Sequence, residues 1–467
     1  MLINPWIYDF AAFDLWQKPI GLLYLGAILK EIGWSIDLID CLDRYDPDLI
    51  KTAKTKDKKF YTGKYLKQYL NKPEPIKHIP RKYSRYGLPD NLVENKLSNI
   101  KEPEIILITL GMTYWYPSLI DIIDLIKEYF PDKPIMVGGV YATLAEEHAK
   151  KYISADIFGQ GECENKIFDL LPDNLKPEIS PRSYNDIDDL PFPLYELYDD
   201  LRFLPLLTSR GCPLRCSFCA SYKLNGIFRK RSVDSVFDEI KYSMGKYDLK
   251  DIAFYDDALL TDKEEHILPI LEKVIHNGFD LNFHSPNGIQ AELIDDTTAE
   301  IMFKAAFKTV RLSLETVSEK RIQVISKKVS PDGFSNAVNS LEKAGYKRSD
   351  IEAYLLMGLP GDNIYEVIDT LYFVAENGVL SRLSTFSPIP HTKDWNRLVD
   401  HGIINEEMDL LETNNSVFLY KYQDYSIEIV DVIKNHVKYL NDCVRKNEKI
   451  PDKLLFVKQI EKIRDQV

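Results

Sequence analysis

Leu204-Pro-Leu-Leu-Thr208-Ser-Arg-Gly-Cys212-Pro-Leu-Arg-Cys216-Ser-Phe-Cys219 is an apolar run followed closely by three cysteines. The run predicts a buried strand, so the cysteines lie on the loop that leaves its carboxyl end. Three thiolates in C-x3-C-x2-C spacing suit an iron–sulfur cluster, with a zinc site or free thiols as the alternative. The remaining cysteines lie far from this loop along the chain and supply no nearby fourth ligand: Cys41, Cys163 and Cys443. A cluster held by three cysteines leaves one iron open to another ligand.

Strand and helix patterns alternate downstream of the cysteines. Strands are predicted at 204–208, 251–255, 280–284, 309–315, 351–357 and 382–386, with helices between them. About six β/α units predict a partial (β/α)6 barrel over residues 199–395, short of an eight-fold barrel. Residues 396–467 are expected to form a mostly helical extension.

The region before the cysteines follows the same alternation. Strands are predicted at 2–7, 35–40, 105–110, 134–137 and 155–158, which indicates an α/β domain with a parallel sheet over residues 1–171. Ligands of such sheets bind at the carboxyl ends of the strands, where glycine-bearing loops follow. A basic insertion at about 44–100 is expected to be too polar for the core, and residues 172–198 are expected to form a linker.

Length and charge narrow the classes of function. The 467 residues exceed what one core usually holds, and the net charge of −13 argues against a nucleic-acid partner. We expect a cytoplasmic protein, because neither a targeting signal nor an apolar run long enough to span a membrane is evident. Residues 51–85 depart from the average, with twelve Lys or Arg and two acids. Within them Arg81, Lys82 and Arg85 are candidates for an anionic substrate or a cofactor phosphate, although most such runs are solvated surface.

The cysteine motif, with Phe218 before its last cysteine, resembles the defining motif of the radical S-adenosylmethionine (SAM) enzymes. The resemblance implies a [4Fe–4S] cluster on Cys212, Cys216 and Cys219, with SAM bound at the open iron. It also implies SAM contacts at the ends of later strands: Asp256 and Asp257 for the amino group, Ser313 and Glu315 for ribose and methionine, and Gly358, Pro388 and Ile389 for adenine. An acidic pair is also chemically suited to holding an ammonium group.

Other residues near predicted strand ends are open to two interpretations. His284 and His391 are expected to face the cavity and to handle a proton or contact the substrate, or else to be structural. Tyr141 and Tyr255 are candidates for a polar contact or for supplying hydrogen.

The first domain resembles the cobalamin-binding domain that precedes the barrel in one class of radical SAM enzymes. The matching segments are 19–24, 138–143 and 159–162, and the whole chain resembles an uncharacterised group with this architecture. Cobalamin contacts are expected at Gly111, Met112, Thr113, Gly138, Gly139, Val140, Tyr141, Gly159 and Gly161. The cobalt-ligating pattern D-x-H-x-x-G is replaced by Trp16-Gln-Lys18-Pro-Ile-Gly21, so no histidine of that motif ligates cobalt. Retention of the fold without cobalamin is the alternative.

These resemblances imply reductive cleavage of SAM to a 5′-deoxyadenosyl radical, followed by cobalamin-dependent methylation of an unactivated carbon. A cobalamin-free rearrangement or C–C coupling is the alternative enzyme, and an iron–sulfur scaffold or electron carrier the alternative without catalysis. The expected partners are a small-molecule substrate and an external reductant such as ferredoxin or flavodoxin. A methylthiotransferase is disfavoured, because its first domain would supply three further cysteines and this one offers Cys41 and Cys163 only.

Overall fold

The computed structural model describes residues 1–53, 55–178, 182–325, 328–421 and 425–465. Parts of four predicted segments therefore lie outside the described residues: Lys54 of the basic insertion, residues 179–181 of the linker, residues 326–327 of the partial barrel, and residues 422–424 and 466–467 of the C-terminal extension. The chain divides into two compact units. Unit 1 comprises Met1–Pro205 and Ser221–Asp251, and unit 2 comprises Leu206–Ala220 and Ile252–Val467.

Unit 1 contains a five-stranded parallel sheet. Its strands lie in the order Leu38–Asp40, Leu2–Asn4, Ile106–Leu110, Ile135–Gly138 and Ile157–Phe158. Side chains from the strands pack against the first helix, with Leu2, Leu107 and Met136 in one cluster with Leu22 and Ile28. The structure confirms the expected α/β class with parallel strands.

A second sheet in unit 1 corrects the expectation that the basic insertion is too polar for the core. Tyr83–Tyr86 is the central strand of a three-stranded antiparallel sheet, between Ile7–Asp9 and Lys67–Leu70, and all four of its residues are buried. The predicted strand 2–7 is divided between the two sheets. Pro5 lies at the division, where its ring nitrogen has no proton to donate to a ladder.

The helices of unit 1 follow the apolar periodicity closely, as in Tyr116–Tyr129. The α-helices are Ile20–Glu31, Pro47–Thr52, Asp90–Asn99, Tyr116–Tyr129, Gly139–Leu144, Glu146–Tyr152, Ile167–Leu170, Ser221–Leu224 and Val233–Lys246. The 3-10 helices are Lys59–Tyr61, Glu74–Ile76, Thr113–Trp115, Asp173–Leu175, Ile187–Asp189 and Tyr195–Leu197.

Unit 2 contains two groups of strands. The first includes Asp251–Phe254, Asn282–His284 and Phe307–Thr309, and the second has the order Ile289–Gln290, Arg311–Glu315, Glu352–Met357 and Leu380–Thr385. All the pairs in the second group are parallel.

The predicted strand 309–315 changes partners at Val310. Residues before Val310 pair with Asn282–His284, whereas residues after it pair with strands of the second group. One continuous stretch of chain therefore takes part in both groups, which alternating hydrophobicity alone does not reveal.

Helices surround these strands and make up most of the C-terminal extension. The α-helices of unit 2 are Ile267–His276, Asp296–Lys304, Glu319–Ile325, Pro331–Ala344, Ile364–Glu376, Lys393–Asp400, Ile427–Lys446 and Lys453–Arg464. The 3-10 helices are Lys263–Glu265, Ala291–Leu293, Arg348–Asp350, Leu410–Thr413 and Phe418–Lys421. Within the described part of the chain, no helix is both long and apolar enough to cross a membrane.

Candidate functional site

The cysteine loop, residues 212–219, follows the short strand Ser209–Arg210 in unit 2. Gly211 turns the chain with a φ of +80°, in the left-handed region that favours glycine. Cys212, Cys216 and Cys219 are partly exposed and form no disulfide, and the Cys219 N–H donates to the Cys216 carbonyl at 3.1 Å. Three reduced thiols are thus available from one tight loop.

Ser217, between the last two cysteines, anchors this loop. Its N–H donates to the Ile325 carbonyl at 2.9 Å, and its hydroxyl donates to the Asp394 carboxylate at 2.7 Å. The Asp394 N–H donates back to the Ser217 carbonyl at 3.0 Å. Both residues are buried, Ser217 at 1% and Asp394 at 2% exposure. Two helices distant in sequence therefore hold the loop by polar contacts, which the spacing of the cysteines did not predict.

Phe218 is held by an apolar cluster. Its partly buried ring packs against a group that includes Ile325, Phe386, Trp395 and Phe418. Its predicted contact with the cofactor stays a prediction, while its packing gives the loop a second anchor.

Asp256 and Asp257 are adjacent in sequence but have different surroundings. Asp256 is buried and accepts hydrogen bonds from the hydroxyls of Thr208 and Ser209, at 2.7 and 2.5 Å. Burial raises the pKa of Asp256, although those hydrogen bonds oppose the rise. Asp257 is exposed, and its charge adds to the rise that burial causes in the pKa of the Cys212 thiol. Asp257 therefore lies near the cysteine loop, and Asp256 ties together the chain that leads into it.

Ser313 and Glu315 are joined by Lys328, a residue that the sequence did not single out. The Lys328 ammonium donates to the Ser313 hydroxyl at 2.8 Å and pairs with the Glu315 carboxylate at 3.5 Å. Burial alone would lower the pKa of Lys328, but the charges of Glu315, Cys216 and Cys212 outweigh it and raise that pKa. The lysine thus links the fourth predicted strand electrostatically to two of the cysteines.

Glu315 also has an unusual backbone. Its φ is +61°, and the pairing of its strand with Glu352–Met357 shifts register between Ser313 and Glu315. A non-glycine residue in the left-handed region costs of order 1–3 kcal/mol and is typical of functional sites. This strain is an independent indication that the end of the strand matters.

The predicted adenine platforms are turns fixed by their neighbours. Gly358 has a φ of +87° and its N–H donates to Asp362 at 2.9 Å; burial raises the pKa of that carboxyl to about 6. The left-handed φ favours glycine at 358, and a Cβ there would also come within 2.4 Å of a methyl group of the Leu419 side chain, which would have to shift. In the second turn, which contains Pro388 and Ile389, the Ile389 carbonyl accepts a hydrogen bond from the Thr392 hydroxyl at 2.8 Å. Their contact with adenine stays a prediction.

The two histidines of the predicted barrel differ. His284 is fully buried and its Nδ1 lies 2.8 Å from the Thr309 hydroxyl, which favours a structural role. His391 is exposed, with a φ of +67°. Tyr255 accepts, through its carbonyl, a hydrogen bond from the Asn287 side chain at 3.1 Å.

In unit 1, the predicted cobalamin contacts meet along one side of the parallel sheet, which we call the glycine edge. It comprises Gly111, Gly138, Gly139, Gly159 and Gly161, which follow the carboxyl ends of Ile106–Leu110, Ile135–Gly138 and Ile157–Phe158.

Contacts at Gly139 explain why this position lacks a side chain, and Thr143 ties it to Gly161. Gly139 has a φ of +85°, and a Cβ there would lie 2.5 Å from the Thr109 hydroxyl and 3.0 Å from the Leu110 backbone. The Thr143 hydroxyl donates to the Gly139 carbonyl at 2.8 Å and accepts from the Gly161 N–H at 2.9 Å. The edge is thus built mainly from backbone.

The other predicted cobalamin residues have different exposures. Met112 and Val140 are partly exposed beside the glycines, and Thr113 is buried. Tyr141 is fully buried, with its hydroxyl 2.7 Å from His148 Nδ1 and its ring stacked near Tyr116 at 6.2 Å. The Tyr141 side chain therefore belongs to a packed aromatic cluster, and the whole residue, backbone included, is 0% exposed. Its contact with cobalamin stays a prediction.

Trp16 and Lys18, at the position of the cobalt-ligating motif, both have partners within the protein. Trp16 is 1% exposed and donates its indole N–H to the Phe60 carbonyl at 2.7 Å. Lys18 is buried, pairs with Asp43 at 2.9 Å and lies 3.7 Å over the Tyr198 ring. Neither side chain is available as a ligand in this arrangement.

The three basic residues predicted to contact an anion, Arg81, Lys82 and Arg85, differ in their exposure and in their contacts. Arg85 is buried, forms a two-pronged ion pair with Asp90 and donates to Gln68 at 2.7 Å. Lys82 is exposed and lies 4.4 Å over the Tyr69 ring, and Arg81 lies 5.7 Å over the Phe10 ring. Lys82 therefore fits the predicted anion contact better than Arg85.

The remaining cysteines are structurally unlike those of the loop. Cys41 and Cys443 are 0% and 2% exposed, and burial raises the pKa of Cys163 to about 11. Cysteines buried in this way are usually structural and unreactive. They are therefore poor candidates for a fourth ligand to the cysteine loop.

The cysteine loop has the donor atoms that an iron–sulfur cluster needs. Each thiolate of a cubane cluster binds a different iron, so three cysteines on one loop can hold three of its four irons. The donor atoms, their reduced state and the anchored loop all suit [4Fe–4S].

Comparison with known proteins agrees with this assignment. Residues 206–374 match the family model of the radical SAM superfamily, whose cofactors are a [4Fe–4S] cluster and SAM. An uncharacterized methyltransferase of Pyrococcus horikoshii is 23% identical over 372 residues, covering 73% of this chain and 78% of the relative. The cytidylyl-2-hydroxyethylphosphonate methyltransferase of Streptomyces wedmorensis is 20% identical over 457 residues, covering 84% and 80%.

A solved structure shares the fold across most of the chain. TsrM of Kitasatospora setae, a radical SAM methyltransferase solved with tryptophan and a SAM analogue, matches with a TM-score of 0.62 and 14% identity, covering 86% of this chain and 75% of that one. A second TsrM structure, with cobalamin and a [4Fe–4S] cluster bound, matches with a TM-score of 0.61. A share of 86% exceeds either unit alone, so the likeness of fold includes parts of both.

Proposed function

We propose that this chain, a member of the radical SAM superfamily, is a cobalamin-dependent methyltransferase that acts on an unactivated carbon of a small molecule. The observation that carries the proposal is the anchored loop of three partly exposed cysteines. Ser217 anchors it through its hydroxyl, which donates to the Asp394 carboxylate at 2.7 Å. Relatives named as methyltransferases support the reaction class.

Each residue at or near the cysteine loop has a proposed task. Cys212, Cys216 and Cys219 hold the cluster, which together with SAM supplies one-electron cleavage chemistry when bound. Asp257 holds the amino group of SAM, for which a partly solvated carboxylate beside the cluster is suited. Asp256 is a positioning residue, because its carboxylate is already engaged by Thr208 and Ser209.

Four further contacts complete the proposed SAM site. Ser313 and Glu315 contact ribose and methionine, and the turns at Gly358 and at Pro388-Ile389 offer backbone to adenine. Gly358 suits this task because its conformation is held by Asp362 before any ligand binds. A preorganised site avoids part of the ordering cost of binding.

The glycine edge of unit 1 is proposed to hold cobalamin. Backbone with no side chains in the way lets a large flat ligand approach closely. The buried pair of Lys18 and Asp43 supports binding without a protein ligand from the D-x-H-x-x-G position.

The finer architecture belongs to the same proposal. We infer a Rossmann-like domain at 1–171, a linker at 172–198, a partial (β/α)6 barrel at 199–395 and a helical extension at 396–467. The parallel pairs in both units support the two named folds.

The proposed partners are a small-molecule substrate, with Lys82 and Arg81 as contacts if it is anionic, and a cytoplasmic reductant of the ferredoxin or flavodoxin class. The external reductant is required because nothing in the proposed reaction itself supplies the electron that cleaves SAM.

Anaerobic reconstitution with iron, sulfide and hydroxocobalamin tests the proposal. With dithionite and SAM, we expect 5′-deoxyadenosine, about one bound cobalamin per chain and the absorption spectrum of methylcobalamin. Cluster-loaded protein that forms 5′-deoxyadenosine without binding cobalamin would favour a rearrangement or C–C coupling enzyme. Cluster-loaded protein that forms no 5′-deoxyadenosine would favour the non-catalytic alternative, an iron–sulfur scaffold or electron carrier.

A further inference from the structure

Lys328 occupies a place that no motif assigns. We propose that Lys328 is a positioning residue that holds Ser313 and Glu315 in place and supplies the positive charge that makes the cluster on Cys212 and Cys216 easier to reduce. The inference rests on the proposed function only in that the three cysteines hold a cluster.

The Lys328 backbone is held by a side chain from another part of unit 2. Its carbonyl accepts from the Gln290 side chain at 3.1 Å. The helix before it ends at Ile325, whose carbonyl binds Ser217 of the cysteine loop, and Ser330 caps the next helix through the Gly333 N–H. A lysine has a long flexible side chain. Here the ammonium at its end is directed by its own contacts with the Ser313 hydroxyl at 2.8 Å and the Glu315 carboxylate at 3.5 Å.

The charge on this lysine persists despite burial. Its side chain is 16% exposed and that of Glu315 is 12% exposed. A buried ammonium without a partner favours its neutral form, but the ion pair with the Glu315 carboxylate at 3.5 Å favours the charged form. In the chain, Lys328 follows Ile325 by three residues, and the Ile325 carbonyl accepts a hydrogen bond at 2.9 Å from the N–H of Ser217 in the cysteine loop.

Electrostatics then sets the direction of the effect on the cluster. Three thiolates and a [4Fe–4S]2+ core carry a net negative charge, and reduction adds one electron from the external donor without making or breaking a bond. A nearby cation stabilises the more negative reduced state more than the oxidised state. Removing the cation therefore shifts the midpoint potential to more negative values.

The contact with Glu315 concerns the strained end of the strand. Its left-handed backbone, with a φ of +61°, persists only where neighbours determine it. Lys328 is one such neighbour, because it binds both Glu315 and Ser313, which flank the register shift. We therefore expect the lysine to matter for SAM affinity as well as for potential.

The experiment compares Lys328→Met and Lys328→Arg with the wild type, each reconstituted with cluster in the absence of SAM and cobalamin. In Lys328→Met we expect unchanged iron per chain and a midpoint potential, followed by electron paramagnetic resonance, that is more negative than in the wild type. Lys328→Arg keeps the charge and should recover most of the shift. SAM affinity should fall in Lys328→Met and recover partly in Lys328→Arg.

Lys320→Met is the matched control, because it removes one positive charge from an exposed position on the helix Glu319–Ile325. We expect no shift in its potential. An unchanged potential in Lys328→Met, or equal shifts in the methionine and arginine variants, would overturn the inference. If Lys328→Met does not fold, Lys328→Gln replaces it under the same criteria. Failure of the wild type to take up a cluster would instead refute the proposed function.

Discussion

The two proposed cofactor sites lie at the ends of parallel strands but are built in opposite ways. The glycine edge of unit 1 is made of backbone, and Gly139 tolerates no side chain because its neighbours are 2.5 to 3.0 Å from where a Cβ would lie. The cysteine loop of unit 2 is surrounded by charged and polar side chains, which its neighbours fix through Ser217 and Lys328.

This difference indicates how each site should respond to mutation. A site built from backbone fails when volume is added, whereas a site built from side chains fails when a functional group is removed. The comparison is broken if unit 1 proves insensitive to added volume or if unit 2 functions without its polar groups.

The largest effect is expected in the cysteine loop. Cys216→Ala removes one of three thiolates, so cluster iron should fall to a small fraction and 5′-deoxyadenosine should become undetectable. Iron analysis and chromatography of the products measure both. Cys443→Ala, in a buried helix position, should retain both, apart from a modest loss of stability. Product formation by Cys216→Ala would contradict the assignment of the loop.

The glycine edge should show the next largest effect. Gly139→Ala places a Cβ in a left-handed conformation against the neighbouring strand, which should lower the free energy of unfolding by about 3 kcal/mol. Cobalamin uptake should fall much more than cluster uptake, as measured by absorption spectra and iron analysis.

Gly245→Ala is the control for added volume in unit 1. Gly245 lies in the helix Val233–Lys246, and nothing lies within 4 Å of its Cβ position. Alanine should be neutral or slightly stabilising there. Equal losses in both glycine variants would show that the steric argument for the edge is wrong.

A smaller effect is expected at the anchor of the cysteine loop. Ser217→Ala removes the hydrogen bond from the Ser217 hydroxyl to Asp394. It leaves the two backbone hydrogen bonds of residue 217, with Ile325 and Asp394, and the ion pair between Asp394 and Arg397 at 2.7 Å. Stability should fall by about 1–2 kcal/mol, and iron per chain should fall only in part. Ser98→Ala, on an exposed helix of unit 1, should change neither quantity. If Ser217→Ala retained all of its iron and stability, the hydrogen bond from Ser217 to Asp394 would not be needed to hold the cysteine loop.

The same comparison shows what could be predicted from the sequence. Local patterns sufficed for the helix Tyr116–Tyr129, for the parallel strands and for the glycines after them, because periodicity and backbone preferences act over short stretches. The anchor between Ser217 and Asp394 joins residues 177 positions apart, and no local pattern reports such a pair.

The charge and burial of individual residues also differ between the sequence-based prediction and the structure. Asp256 and Asp257 look alike in the sequence, yet only the structure shows that one is engaged by Thr208 and the other is exposed. The basic insertion likewise conceals a buried strand, Tyr83–Tyr86, because cations outside the strand dominate its composition. Lys328 had one faint signal, its place in a Lys-Lys pair shortly after the fourth predicted strand.

The smallest predicted effect concerns His436, which lies on the helix Ile427–Lys446 of the helical extension and belongs to neither proposed site. His436 stacks on Phe456 at 3.6 Å and its Nε2 lies 3.0 Å from the Tyr372 hydroxyl, and burial lowers the pKa of His436 to about 4. Between pH 6.5 and 4 the unfolded chain therefore binds a proton at this position that the folded chain does not. Stability from His436 is full above about pH 6.5 and is lost as the pH falls towards 4.

The test compares melting temperatures of the wild type and His436→Gln, which cannot titrate. Asp362, whose pKa burial raises to about 6, contributes the opposite slope but is present in both proteins and cancels in the difference. The stability advantage of the wild type should thus be larger at pH 7.5 than at pH 5. A difference independent of pH would mean that His436 contributes by packing alone. The comparison between the two sites would then stand, since neither site depends on this histidine.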